Sequence, residues 1–204
     1  MSSFEFEALS LIFHTPSAAW ARAAAELTGS RRSRPRSVDV IVTSRRGRRH
    51  ADVEASRHTD HKCVEWDIYV HEGAVGPSWR ATSKRVGWLE GFGEWIGGLY
   101  PQDLVIGPVR CSATFEFERS KYTNALGLPK EMALGPAEAP RSVFSIGVEE
   151  GEGRWWLEAD PDNDRFTVGV GFLLESVAPA QLLARAEQEA AIRVEKLVTS
   201  VPKP

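Results

Sequence analysis

HADVEASRHTDHKCVEWDIYV, residues 50–70, is the stretch on which the fold class turns. In its second run Val64, Trp66, Ile68 and Val70 alternate with Cys63, Glu65, Asp67 and Tyr69, the period of two expected of a strand with one face in a core and one in water. HADVEAS precedes it, and the polar link RHTDH is too short for anything but a turn. Two strands joined so closely are antiparallel, because a parallel pair needs a crossover of about a dozen residues.

Working outward, Phe4, Phe6 and Ala8 alternate with Glu5, Glu7 and Leu9, and the apolar run continues to Phe13, which predicts a first strand. Thr15 or Ser17 is the expected cap of a helix through AAWARAAAELTG, stopped by Gly29. Val38, Val40 and Val42 predict a short strand with Ile41 on its other face. GAVGPSW breaks the pattern at 72–79. Trp88, Leu89, Phe92, Trp95, Ile96 and Leu99 then recur at helical spacing, although five nearby glycines mean that packing must hold such a helix. Phe115 and Phe117 open a series of strands that continues through SVFSIGVEE, RWWLEAD and RFTVGVGFLL, with EGEG and DPDND as hairpin links. KYTNALGLPKEMALGPAEAP, between them, reads as irregular. From about Ala178 a long helix is expected, with Leu183, Ala186, Ala190, Val194 and Leu197 as its apolar stripe and Glu189 and Arg193 paired at i, i+4.

The order of elements predicts an α+β fold: a predominantly antiparallel curved sheet of about 7–8 strands, two shorter helices, and a long C-terminal helix packed on one face. A single domain over 1–204 is expected, with a weak subdivision near 72–79. FEFE occurs at 4–7 and 115–118, but the residues that follow do not match, so a duplication is not the favoured reading.

Charge is divided by region. Residues 31–50 hold Arg31, Arg32, Arg34, Arg36, Arg45, Arg46, Arg48 and Arg49 against Asp39 alone, a net +7, so the remainder carries −10 to reach the total of −3. Like charges this close repel one another and call for a partner or counterions. The expected function is a non-catalytic protein–protein interaction module of the immunity or adaptor type, using these arginines or the acidic segment 149–164. A homo-oligomer in which one copy's arginines meet another's acidic hairpin fits the same division. The second reading is a small-molecule binder or enzyme with a pocket between sheet and C-terminal helix, lined by Trp88, Phe92, Trp95, Trp155 and Trp156. Nucleic-acid binding through 31–50 is the third; an overall pI near 6.0 and the lack of aromatic residues between Trp20 and Trp66 count against it.

No catalytic residues, metal or cofactor are expected. His58, Asp60, His61 and Cys63 lie in H-T-D-H-K-C, whose spacing departs from zinc patterns, so a polar turn is preferred. DPDND resembles the start of a calcium loop, yet Arg165 stands where glycine is needed and Gly171 where the bidentate glutamate belongs. Glu65 with Asp67, and Glu116 with Glu118, share strand faces without an adjacent histidine or nucleophile. Gly91-Phe-Gly93 lacks the third glycine of a dinucleotide loop. Glu5 and Glu7 replace the basic start of a signal peptide, no apolar run approaches ~18 residues, and the two cysteines form no disulfide framework. A cytoplasmic protein is expected, and the Ala, Arg and Gly bias suggests a bacterial, GC-rich coding region.

Overall fold

The computed structural model describes residues 4–30, 35–73, 88–118, 143–144, 153–160 and 165–200, with side chains described at 6–30, 35–73, 88–116 and 167–196. Among the described residues, eight strands and three α-helices make an α+β fold, as the pattern of elements implies. The strands are β1 (Phe4–Pro16), β2 (Ser37–Thr43), β3 (Arg49–His58), β4 (Cys63–Glu72), β5 (Val109–Glu118), β6 (Val143–Phe144), β7 (Gly153–Asp160) and β8 (Arg165–Leu174). Their order in the sheet is 2-3-4-1-5-8-7-6. The pairs β2–β3, β3–β4, β4–β1, β6–β7 and β7–β8 are antiparallel.

Taken inward from its two edges, that order is 2-3-4-1 and 6-7-8-5, so the second set of four strands repeats the connectivity of the first. Each set also leads into a 3-10 turn and then an α-helix: Leu89–Gly91 into α2 (Phe92–Gly97), and Pro179–Gln181 into α3 (Leu182–Ser200). The repeat disfavoured on sequence is therefore present in topology. FEFE does fall in corresponding strands, but at the start of β1 and the end of β5. Aligning the two tetrapeptides puts everything after them out of step.

The chain divides into two compact units, Ala8–Cys111 with Leu173–Ala186, and Met1–Glu7 with Ser112–Phe172 and Glu187–Pro204. In the first, Leu9, Leu11 and Phe13 of β1, Val40 and Val42 of β2, Ala51, Val53 and Ala55 of β3, and Val64, Trp66, Ile68 and Val70 of β4 are all buried. Trp66 is the hub. Its ring stacks at 6.3 Å from Phe13, its register partner on β1, and meets Phe92 and Trp95 edge-on at 6.2 and 6.0 Å. Its indole N–H donates to Thr15 Oγ1 at 2.9 Å.

That bond corrects the expected helix cap. Neither Thr15 nor Ser17 caps anything: β1 runs to Pro16, a 3-10 turn spans Ser17–Ala19, and α1 (Trp20–Thr28) starts without a side-chain cap. Thr15 is 2% exposed and serves a buried indole that would otherwise be an unsatisfied donor. Trp20, Ala23, Ala24 and Leu27 form the buried stripe of α1, and Gly29 ends it at φ 70°, as expected.

The stretch 88–99 departs from the expected single helix. A 3-10 turn and a six-residue α2 replace it, with Leu89, Phe92, Ile96 and Leu99 buried but Trp88 49% exposed. Gly93 is required there, since a Cβ would overlap the carbonyl of Pro179. Packing therefore selects a residue that helix propensity disfavours. Pro179 lies in the turn before α3, where Leu182 is fully buried and Leu183 is half-buried, one position away from the expected stripe.

In the second unit β7 and β8 form the expected hairpin, pairing Asp160 with Arg165 across the DPDND link. Phe6 and Phe115 meet edge-on at 5.8 Å. Along α3, Ala190 and Val194 are buried, while Arg193 donates to Glu189 at 2.9 Å and lies over the Phe172 ring at 5.1 Å. Residues 74–87 and 121–140, and the side chains of Trp155, Trp156 and Leu197, lie outside the described residues.

Candidate binding site at the arginine turn

Arg45, Arg46 and Arg48 occupy the connection between β2 and β3, and Arg49 opens β3. Three hydrogen bonds close this turn. Ser44 N–H donates to the Arg49 carbonyl at 2.8 Å, Gly47 N–H to the Ser44 carbonyl at 2.9 Å, and Arg49 N–H to Ser44 Oγ at 3.1 Å. Gly47 takes φ 64°, a left-handed conformation in which a Cβ is strained. Ser44 is buried, so its hydroxyl fastens the turn from inside.

The guanidinium groups of Arg45, Arg46 and Arg48 are exposed and make no hydrogen bond or ion pair among the described residues. Arg49 differs, its Nε lying 3.2 Å from Glu72 Oε1. Arg45 N–H points at the Glu90 carboxylate, 3.3 and 3.4 Å from its two oxygens. These groups border a cleft of about 570 Å³ lined by the four arginines, Ser44, Glu72, Glu90, Gly91 and Glu94. Four cations face three carboxylates there. The site is of mixed charge, with a cationic rim.

The other expected residues are placed elsewhere. Arg36 precedes β2 and is separated from Arg45 by the whole strand, roughly 30 Å at ~3.3 Å per residue. Arg31, Arg32 and Arg34 lie outside the described residues. Phe92 is buried and its ring lies 5.3 Å from that of Trp95, whose N–H donates to Glu26 at 2.7 Å. That bond, ahead of the opposing effect of burial and the support of Arg22, holds the Glu26 carboxyl below the usual range. Phe92 is thus packed in the core, Trp95 is half-buried beside it, and Trp88 is on the surface.

The outer face of β1, β3 and β4 carries a feature that linear reading missed. His14, His50, His58 and His71 all lie on it, with Asp52, Glu54, Glu65 and Asp67. His14 lies 3.1 Å from Glu65 Oε2, and His58 4.0 Å from Glu65 Oε1. Burial raises the Asp67 carboxyl, helped by Glu65 and opposed by Arg110. At one end of this face the ligating atoms of His50, Asp52 and His71 come within 4.8 Å of one another. His50 and His71 are register partners, and His-x-Asp puts Asp52 on the same face as His50. The pairing register, absent from linear reading, was the missing signal. Among the described residues the H-T-D-H-K-C turn brings no three such groups together.

No family model matches the chain, and comparison with curated proteins and with solved structures finds no match either.

Proposed function

We propose that this chain is a non-catalytic binding protein, of the immunity or adaptor kind in a bacterial cytoplasm, whose arginine turn docks on acidic side chains of a partner protein. The observation that supports it is the trio Arg45, Arg46 and Arg48, held out on a turn closed by three hydrogen bonds and left without partners among the described residues. A preorganised backbone lowers the ordering cost of binding, and planar guanidinium forks suit carboxylates. Glu72, Glu90 and Glu94 favour a protein over a nucleic acid, because they would repel a run of phosphates while accepting basic groups from a mixed-charge surface. Among the described residues no helix is long and apolar enough to cross a membrane.

The test is affinity purification from the source cells with the natural chain and with Arg45, Arg46 and Arg48 all changed to Ala. The variant should fold normally, since exposed substitutions shift stability by only about ±0.5 kcal/mol each. It should lose the partner, and the natural complex should weaken with salt. Retention of the partner by the variant would refute the reading. Tight, strongly salt-dependent binding of a DNA or RNA oligonucleotide would favour the nucleic-acid alternative, and concentration-dependent self-association abolished by the variant would make the partner a second copy.

A further inference from the structure

We propose that His50, Asp52 and His71 form a binding site for a zinc-class divalent transition-metal ion on the outer face of β3 and β4. This site is independent of the arginine turn. His50 and His71 stand directly opposite one another across the two strands, an arrangement that brings Cβ atoms to ~4.5–5.5 Å. Their rings lie 4.8 Å apart at 14°, and Asp52 occupies the next outward position along β3. The three ligands thus come from backbone held on both strands by the sheet, where positions are more exact than on loops.

The distances suit an ion. Bonds of ~2.0–2.1 Å to nitrogen and oxygen in a tetrahedral site place neighbouring ligand atoms about 3.3 Å apart. Asp52 Oδ2 and His71 Nε2 are 3.3 Å apart. All three ligand atoms fall within 4.8 Å, so small side-chain rotations that open the stack of the half-buried His50 and His71 rings close the set. His50 Nδ1 lies 3.4 Å from the Gly73 carbonyl. Donation there leaves Nε2 with the lone pair a metal needs, the usual outer support of a metal-bound histidine.

A plain hydrogen bond from His71 to Asp52 accounts for less. It leaves Asp52 Oδ1 shielded from solvent and, among the described residues, without a hydrogen-bond partner. A cation held by both carboxylate oxygens gives Oδ1 the partner it lacks and engages both imidazoles. Two nitrogens and one oxygen select zinc, cobalt, nickel or copper over calcium or magnesium, which prefer oxygen ligands alone. Three protein ligands leave a coordination position for water or a partner's side chain.

The experiment uses untagged, chelator-stripped full chain titrated with Zn²⁺ by calorimetry and with Co²⁺ by its visible absorption, with circular dichroism confirming that each variant is folded. One ion per chain is expected, at micromolar or tighter affinity. His50→Ala and His71→Ala should each weaken binding at least about 100-fold, and Asp52→Asn about 10-fold or more. The double variant His58→Ala/His61→Ala should bind as the natural chain does. Absence of binding below millimolar Zn²⁺ overturns the proposal, as does a site that survives His71→Ala but is lost in the His58/His61 variant.

Discussion

Replacing Thr15 by Val removes the only hydrogen-bond acceptor for the buried Trp66 indole among the described residues, 2.9 Å away, while conserving side-chain volume. Stranding that N–H where Trp66 is 1% exposed should cost about 1–3 kcal/mol. Trp66→Phe, which removes the donor and part of the ring, should cost about 2 kcal/mol, below the ~3–5 kcal/mol of truncation to Ala. In the Trp66→Phe background, Thr15→Val no longer strands an indole, so the double variant should be more stable than additivity requires by about 1–2 kcal/mol. The Thr15 hydroxyl also lies beside that of Tyr100; Thr15→Val removes this interaction in either background, so it cancels in the cycle. Urea unfolding measures all four proteins. With a slope of ~2 kcal/mol per molar, a 2 kcal/mol loss moves the midpoint by about 1 M, well within resolution. Additivity within ~0.5 kcal/mol would refute the reasoning, because a Thr15 acting only on the helix start would cost the same whatever stood at position 66.

Three further outcomes are expected. Leu182→Ala should cost ~2–5 kcal/mol and the half-buried Leu183→Ala under about 1 kcal/mol in the same unfolding assay, and the reverse ranking would place the wrong face of α3 in the core. Gly93→Ala should destabilise by ~1–3 kcal/mol or more despite its better helix propensity, since the new methyl meets the Pro179 carbonyl; a gain in melting temperature would disprove that close approach. Asp67 has a carboxyl raised in the folded state, so its charged form opposes folding above that raised value, and the penalty fades as pH falls through it toward the unfolded range. Asp67→Asn should therefore raise the melting temperature at neutral pH, with the advantage vanishing in acid, and an advantage independent of pH would show another cause.

Legibility follows the range of the interaction. Val64, Trp66, Ile68 and Val70 are readable as one buried face, and Gly29 as a helix stop, because each depends on backbone geometry within a few residues. The stripe of α3 misleads at Leu183. The chain enters that helix through the 3-10 turn Pro179–Gln181, at 3.0 rather than 3.6 residues per turn, and Pro179 itself packs against α2. Thr15 misleads for a similar reason, since a threonine before an alanine-rich helix resembles a cap until the neighbouring strand brings an indole to it. The arginine turn is visible as charge, but not that only part of it gathers around one cleft.

By itself, the sequence determined the class of fold and its local elements: period-two apolar alternation commits a segment to a strand with one buried face, and helical periodicity commits another to a packed stripe. Tertiary structure alone decided that β1 lies between β4 and β5, that the second four strands repeat the connectivity of the first, and that His50 faces His71. The physical reason is that alternation says which way a side chain points and nothing about which strand lies beside it. Neighbours are chosen by hydrogen bonds and packing between residues far apart in the chain, as when the 2-3-4-1 order brings Thr15 to Trp66 across 51 positions.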